Sequence, residues 1–206
     1  MSLTVDYYFA PQSPYAYLGH QRLQDIAREA GAQIRVLPVD LGGKVFAVSG
    51  GLPLSKRAPQ RQAYRLLELR RWSEFLGLPI NLQPRYFPVN GDEAARLIVA
   101  VEMKDGSEPA MRLAGAVQRA VWVNELNIAD EAVLAELVRQ CDLPAARLDD
   151  SHSQAAHERY EANTEGAIAA GVFGAPSFVI EGELFWGQDR LDFVERRLRG
   201  QAASRR

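Results

Sequence analysis

The sequence predicts an α/β fold in which one sheet takes strands from both ends of the chain. Three observations predict it: a strand–helix–strand pattern in the first forty or so residues, a middle with helical patterns only, and a late pair of short strands followed by a helix. An isolated two-stranded hairpin is marginally stable, so the late strands should join the early ones in one sheet. We therefore expect a discontinuous α/β domain of residues 1–42 and 160–206, and a helical insertion domain of residues 43–159.

The N-terminal unit begins with a predicted strand over residues 3–9, LTVDYYF, which is rich in β-branched and aromatic side chains. A helix is predicted over residues 15–30, because Pro14 suits the first helical position and Gly31 suits the end of a helix. A second strand is predicted over residues 32–37. The right-handed crossover makes these two strands parallel.

The middle opens with a loop punctuated by glycine, proline and serine, GGKVFAVSGGLPLSKRAP, whose length is more often functional than idle. A helix over residues 60–76 is followed by a connector broken by prolines, PRYFPVN. Further helical segments are predicted at residues 91–104, 108–125, 129–140 and within 143–171. The chain then returns to two short strands around a two-residue turn at Glu181-Gly182, and closes with a helix from Gln188.

Composition and charge exclude several classes of function. The 47% of hydrophobic residues against 24% of charged residues is ordinary for a globular protein, and the net charge of −2 creates no field that would recruit nucleic acid or an anionic membrane. Neither a secretory pattern nor an apolar run long enough for a membrane span is visible. The single cysteine, Cys141, excludes an intramolecular disulfide and a Cys-rich metal site, and its place at a predicted helix end favours a buried structural thiol. We expect a soluble, cytoplasmic protein without nucleic-acid or membrane partners.

The first candidate site residue is Ser13, in YYFAPQSPYAYLG, where the first strand turns into the first helix. Thioredoxin-like redox proteins place a Cys-x-x-Cys pair at such a junction, whereas here the slot reads Ser13-Pro14-Tyr15-Ala16, without sulfur. A serine before a helix caps it, and the unpaired N–H groups and positive dipole end at the same place favour an anion. The residues alone leave both roles open.

Two late segments are predicted to converge with Ser13. In GVFGAPSFVIEGELF, the Ala175-Pro176 bond at the mouth of a strand is either an ordinary trans bond or a cis bond that turns backbone groups outward towards a peptide-like ligand. In FWGQDRL, Gly187 precedes a helical turn whose free N–H groups can hold a carboxylate. Asp189 there either holds an ammonium group or caps the helix.

Three segments carry a family resemblance: DYYFAPQSPYAYLG, LRRWSEFLGLPINLQPRYFPVN and VFGAPSFVIEGELFWGQDRLDFVE. Together they resemble the 2-hydroxychromene-2-carboxylate isomerase family, a relative of the kappa-class glutathione transferases within the DsbA-like branch of the thioredoxin fold. The match runs along nearly the whole chain, and the last segment is its most specific part. The resemblance implies a thioredoxin-like fold (β-α-β … α-β-β-α) with a helical insertion, glutathione as cofactor, and a homodimer.

The resemblance also implies roles at the matching positions. Ser13 matches the residue whose hydroxyl hydrogen-bonds the thiol of glutathione, so the cofactor supplies the sulfur that the slot lacks. The positions that match the glutathione site are Ser13, Ala175, Pro176, Trp186, Gly187, Gln188 and Asp189. The positions on the side of the aromatic carboxylate substrate are Lys44, Ser55, Lys56, Tyr86 and Asn90.

The loop after the second strand departs from the family pattern. Lys44 stands about one residue from where a gapless match places the family's lysine, and Ser55-Lys56 stand where the family has Asn or a basic residue. Two of the three lysines of the chain fall in this loop, which favours the binding of carboxylates. The alternative is that both are solvated loop side chains.

The implied reaction interconverts 2-hydroxychromene-2-carboxylate, or a polycyclic homologue, and trans-o-hydroxybenzylidenepyruvate in the degradation of aromatic compounds. The thiolate adds to the conjugated carbon, which makes a double bond rotatable, and leaves again, so that glutathione is regenerated. A kappa-class-like glutathione transferase is the alternative, since it shares the site. The absence of cysteine at positions 13–16 disfavours a DsbA-like thiol oxidoreductase, and a non-catalytic binding module would show no glutathione-dependent rate.

Overall fold

The structure, a computed structural model, describes residues 3–204, with side chains through residue 200. Within this range a mixed four-stranded sheet organises the chain. Strand β1 (Thr4–Phe9) lies between β2 (Gln33–Pro38) and β3 (Ser177–Ile180), and β4 (Glu183–Trp186) forms the edge beside β3. β1 and β2 are parallel, whereas β3 is antiparallel to both β1 and β4. The prediction that the late hairpin joins the early strands is confirmed.

Helix α1 (Pro14–Ala30) includes Pro14 as its first residue, the position to which the sequence suited it, and ends at the predicted residue. Gly31 ends it in the left-handed conformation, with a φ of 62°. The next residue, Ala32, was predicted to open the second strand, but its N–H bonds the carbonyl of Ala27. Because that bond closes the helix end, β2 begins one residue later than predicted.

The predicted loop after β2 contains three short helical pieces, which the sequence reading missed. They are a π-helical turn (Leu41–Val45), α2 (Phe46–Ser49) and a 3₁₀ turn (Leu54–Lys56). The Asp40 side chain accepts a hydrogen bond from the N–H of Gly43 and so begins the first of them. Short turns of this kind depend on single caps and carry no periodic pattern.

The predicted middle helices are present, and the connector PRYFPVN is irregular. Their bounds are α3 (Pro59–Leu76), α4 (Asp92–Asp105), α5 (Ser107–Trp122), α6 (Glu131–Gln140), α7 (Arg147–Ser151) and α8 (Gln154–Ala169). None of the helices in the described part of the chain combines the length and apolar composition that a membrane span requires.

The C-terminal hairpin turns at Glu181 and Gly182, with φ values of 49° and 84°. Two consecutive positive φ values are those of the type I′ turn, whose twist matches the flanking strands. A 3₁₀ turn (Gln188–Arg190) then leads into α9 (Leu191–Ser204). The predicted hairpin and closing helix are confirmed.

One hydrophobic core supports both the sheet and the middle helices. Tyr7 of β1 stacks on Phe9 and Phe178, with ring centroids 4.4 Å and 5.7 Å away. Leu97 of α4 and Leu113 of α5 are fully buried in the same cluster. The helical segment therefore forms part of the support on which the first strand rests.

Candidate active site

The sheet register brings the end of β1 beside the start of β3, because the two strands are antiparallel and Tyr8 pairs with Ser177. Ser13, just beyond β1, and Ala175, just before β3, therefore meet. The Ser13 hydroxyl donates to the Ala175 carbonyl at 3.4 Å. The Ala175-Pro176 bond is cis, the form that the sequence left open.

The Ser13 hydroxyl accepts one long hydrogen bond and donates another. It caps α1 by accepting the N–H of Ala16 at 3.3 Å. Its own bond to the Ala175 carbonyl, at 3.4 Å, is far longer than the usual 2.7–2.8 Å or so between oxygens. The N–H of Tyr15, in the first turn, has no partner within residues 3–204. The proton of Ser13 and this N–H are thus both available to a stronger acceptor.

Gly187 and Gln188 lock a third segment onto these two. The N–H of Gly187 donates to the carbonyl of Pro176 at 2.9 Å. Gln188 is 1% exposed and packs so closely on α1 that a Cβ at Gly19 would lie 2.8 Å from its own Cβ. The side-chain Oε1 of Gln188 is buried without a hydrogen-bond partner among the described residues. This oxygen can therefore accept a hydrogen bond that no described residue donates.

Asp189 follows on the exposed side of this turn. Its carboxylate pairs with Arg190 at 3.2 Å, and no backbone N–H in the described chain bonds to it. The helix-cap interpretation of Asp189 is therefore wrong. Its charge reaches the Tyr15 hydroxyl, whose pKa is raised mainly by burial and to a lesser degree by neighbouring carboxylates, Asp189 among them.

Trp186 lies half exposed at the end of β4. Its ring contacts Phe173 at a centroid distance of 4.7 Å, and a Cβ at Gly174 would overlap its indole nitrogen. Gly174 thus lets the indole lie against the loop that leads to the cis proline.

The five residues predicted for the substrate side are not gathered around Ser13 by any hydrogen bond or ion pair. Lys44 pairs with Glu161 of α8 at 3.1 Å, and Asn90 accepts the N–H of Asp92 at the start of α4. Tyr86 is 38% exposed, with the guanidinium of a neighbouring arginine over its ring. Ser55 and Lys56 are exposed on their 3₁₀ turn.

The sequence reading missed Arg65, on the buried side of α3. It is 8% exposed, and its guanidinium carbon lies 5.2 Å from the ring of Phe87 and 5.6 Å from that of Trp122. A signal was present, because an arginine four residues before Leu69 falls on the apolar stripe of that helix.

Tyr15 is the other residue that was missed. Its hydroxyl and the Arg65 guanidinium interact electrostatically: Arg65 lowers the pKa of Tyr15 against the larger effect of burial. The first turn of α1 therefore connects Ser13 to the buried cation on α3.

Comparisons with known proteins agree with this fold. Residues 4–199 match the DSBA-like thioredoxin domain. A 2-hydroxychromene-2-carboxylate isomerase of Pseudomonas putida is 32% identical over 196 residues, which cover 94% of this chain and 93% of that protein. A glutathione S-transferase kappa 1 of Caenorhabditis elegans is 22% identical over 202 residues, covering 92% and 88%.

A solved structure of a 2-hydroxychromene-2-carboxylate isomerase superposes with a TM-score of 0.79 at 28% identity, covering 98% of this chain and 99% of that one. The extent of these matches shows the family. The chain belongs to the DSBA-like thioredoxin domain family and to the 2-hydroxychromene-2-carboxylate isomerases.

Proposed function

We propose that the chain is a glutathione-dependent isomerase that interconverts 2-hydroxychromene-2-carboxylate, or a polycyclic homologue, and trans-o-hydroxybenzylidenepyruvate. The observation that carries the proposal is the loosely bonded hydroxyl of Ser13 at the start of α1, in the slot where redox relatives carry a thiol. The isomerase name of a relative aligned over 94% of this chain supports the reaction.

Three features of the site fit glutathione. The Ala175 N–H has no partner within the described chain, and its carbonyl has only the long bond from Ser13, so both can pair with a peptide unit. The Gln188 Oε1 lacks a donor, which an amide or ammonium group would supply. The carboxylate of Asp189 is 39% exposed and can receive the ammonium group of the γ-glutamyl end.

Glutathione, when bound, supplies a thiolate as nucleophilic catalyst. A free thiol has a pKa of about 8.5 and is mostly protonated at neutral pH. The Ser13 hydroxyl donates a hydrogen bond to the sulfur, and the positive end of α1 stabilises the anion. Both effects lower the pKa of that thiol, and each unit corresponds to roughly 1.4 kcal/mol.

Serine at this position also excludes a competing reaction. A cysteine there would attack the disulfide of oxidised glutathione and form a mixed disulfide, with release of one glutathione thiolate, whereas the hydroxyl of Ser13 has no such chemistry. The site retains the helix cap and the anion-binding geometry and loses thiol–disulfide exchange. This argues against a DsbA-like oxidoreductase.

On the substrate side, we assign the orientation of the carboxylate and of the developing enolate to Lys44, Lys56 and Tyr86. Lys44 would have to exchange Glu161 for the ligand. Its side chain is 47% exposed and that of Glu161 62%, and a surface pair of this kind is worth at most about 1 kcal/mol. Replacing Glu161 by the carboxylate of the ligand therefore costs little free energy.

Incubation of the purified chain with glutathione and 2-hydroxychromene-2-carboxylate tests the proposal. An absorbance change towards the open-chain product, with the free thiol concentration unchanged, supports isomerisation. Accumulation of a thioether, with loss of free thiol, would instead show a kappa-class-like transferase. If neither product forms at a glutathione-dependent rate, a non-catalytic binding module remains.

The same family resemblance predicts a homodimer. Sedimentation of the purified chain tests this, and a species of monomer mass at micromolar concentration would contradict it.

A further inference from the structure

Arg65 is a buried cation without an anionic partner. No ion pair within residues 3–204 includes it, and its Nη2 is buried without a hydrogen-bond partner among the described residues. The residues that flank its guanidinium are aromatic: Phe87 on the connector and Trp122 at the end of α5.

Such an arrangement is incomplete on physical grounds. An isolated buried charge is strongly unfavourable, and arginine cannot relieve the cost by losing its proton. The aromatic faces offset part of this through cation–π attraction. They offer no acceptor to the N–H donors, however, and those donors form the fork that binds a carboxylate in two parallel hydrogen bonds.

The surroundings of Arg65 are short of negative charge. Burial lowers its pKa, and the nearby charge of Arg57 acts in the same direction. The carboxylates whose charges reach Tyr15 already have partners, since Glu68 pairs with Arg71 at 2.9 Å and Asp189 pairs with its neighbour Arg190. Two guanidinium groups, those of Arg65 and Arg57, therefore lower the pKa of Tyr15 in the first turn of α1.

Two neighbours along the chain link Arg65 to the proposed reaction site. Tyr15, which interacts with Arg65, is two residues from Ser13, and Phe87 is adjacent to Tyr86, a predicted substrate-side residue. We propose that the Arg65 guanidinium binds a carboxylate of a ligand held in the Ser13 site. The carboxylate belongs either to the aromatic substrate or to the glycine end of glutathione, and for both ligands the inference rests on the proposed function.

Calorimetry with two matched ligand pairs tests the proposal and separates the sources. One pair is glutathione and γ-glutamylcysteine, which lacks the glycine carboxylate. The other is benzylidenepyruvate, which cannot close the ring because it has no ring hydroxyl, and its carboxamide, both measured with S-methylglutathione present so that no thiol can react. The variants are Arg65→Met and, as a matched control, Arg70→Met, an exposed arginine of the same helix.

We expect Arg65→Met to weaken the carboxylate member of one pair by about 10- to 100-fold, the range for a charge-assisted bidentate contact, and to spare its partner. Loss confined to benzylidenepyruvate assigns the substrate carboxylate; loss confined to glutathione assigns the glycine carboxylate. Arg70→Met should change neither pair. A parallel loss of all four affinities, or no loss, overturns the proposal.

The wild-type chain keeps the proposal falsifiable if Arg65→Met does not fold. It must favour the carboxylate member of at least one pair by about tenfold, and equal affinities within both pairs would overturn the role of Arg65. The proposed function fails separately, if the wild-type chain takes up neither glutathione nor S-methylglutathione. In that case the benzylidenepyruvate pair, measured without S-methylglutathione on the wild-type chain and on Arg65→Met, still decides whether Arg65 binds a carboxylate.

Discussion

Replacement of Ser13 by alanine separates the two roles of its hydroxyl. As a cap, the hydroxyl accepts the N–H of Ala16 at 3.3 Å, and such caps contribute about 1 kcal/mol to stability. As a donor to a thiolate, it makes a hydrogen bond to a charged group, worth about 1.5–3 kcal/mol. That energy corresponds to a rise of about one to two units in the pKa of the bound thiol. At neutral pH we expect kcat/KM to fall by about 10- to 100-fold.

The chain offers a matched control for the cap. Ser153 begins α8 in the same way, with its side chain accepting the N–H of Ala156 at 3.2 Å. Its hydroxyl also donates to the carbonyl of Asp150 at 2.6 Å, so Ser153→Ala should lose at least as much free energy of unfolding as Ser13→Ala and keep full activity. Denaturant unfolding measures the first quantity, and a pH titration of the thiolate absorbance of bound glutathione measures the pKa directly. Ser13→Ala with wild-type kcat/KM and an unchanged thiol pKa would refute the reasoning and leave Ser13 a cap.

Three predictions concern stability. Burial lowers the pKa of His20 from 6.5 to about 4, so between these pH values the imidazole is protonated in the unfolded chain and neutral in the folded one. The free energy of unfolding should therefore fall by roughly 3 kcal/mol from pH 6.5 to 4, and His20→Gln should remove this pH dependence. Gly182→Ala, at a φ of 84°, should cost about 1 kcal/mol in denaturant unfolding without loss of activity. Asp105→Asn removes the carboxylate that binds Arg147 through two hydrogen bonds (2.7 and 2.8 Å), which should cost about 1–3 kcal/mol of unfolding free energy at neutral pH. Because Arg147 lowers the pKa of Asp105 in the folded chain, the stability difference between wild type and variant should persist above the usual carboxyl pKa and vanish as the pH falls through the lowered one.

The fold was predictable wherever local chemistry decides a boundary. Pro14 and Gly31 fix the ends of α1, and the Glu181-Gly182 pair fixes the hairpin, because each position has a backbone requirement that few residues meet. That the late hairpin joins the early strands followed from the need of a short hairpin for a partner, whereas its pairing with β1 rather than β2 was not predicted. The pieces of helix after β2 were missed, since the capping bond of Asp40 has no periodic signature.

The site was predictable only in part, because its contacts join distant positions. The sequence indicated no acidic partner for Lys44, because that partner, Glu161, lies 117 residues further along the chain. The cis form of Ala175-Pro176 could not be decided from the dipeptide. Arg65 stood on the apolar stripe of a predicted helix, but the two rings against it come from the connector and from α5. The division of the chain into residues 1–42 with 160–206 and residues 43–159 stays a prediction.

The positive end of α1 explains why a serine is sufficient at the position where redox relatives carry a thiol. The scaffold already supplies the anion-stabilising part of the site through the start of α1, and the Ser13 hydroxyl adds a proton donor without adding a redox group. On the proposed function, Ser13 donates to the sulfur at the start of α1, and Arg65, whose charge acts on Tyr15 in the first turn of that helix, binds a carboxylate. Where that carboxylate belongs to the substrate, the thiolate and the substrate are held in a fixed relation, which is the condition for the addition of one to the other.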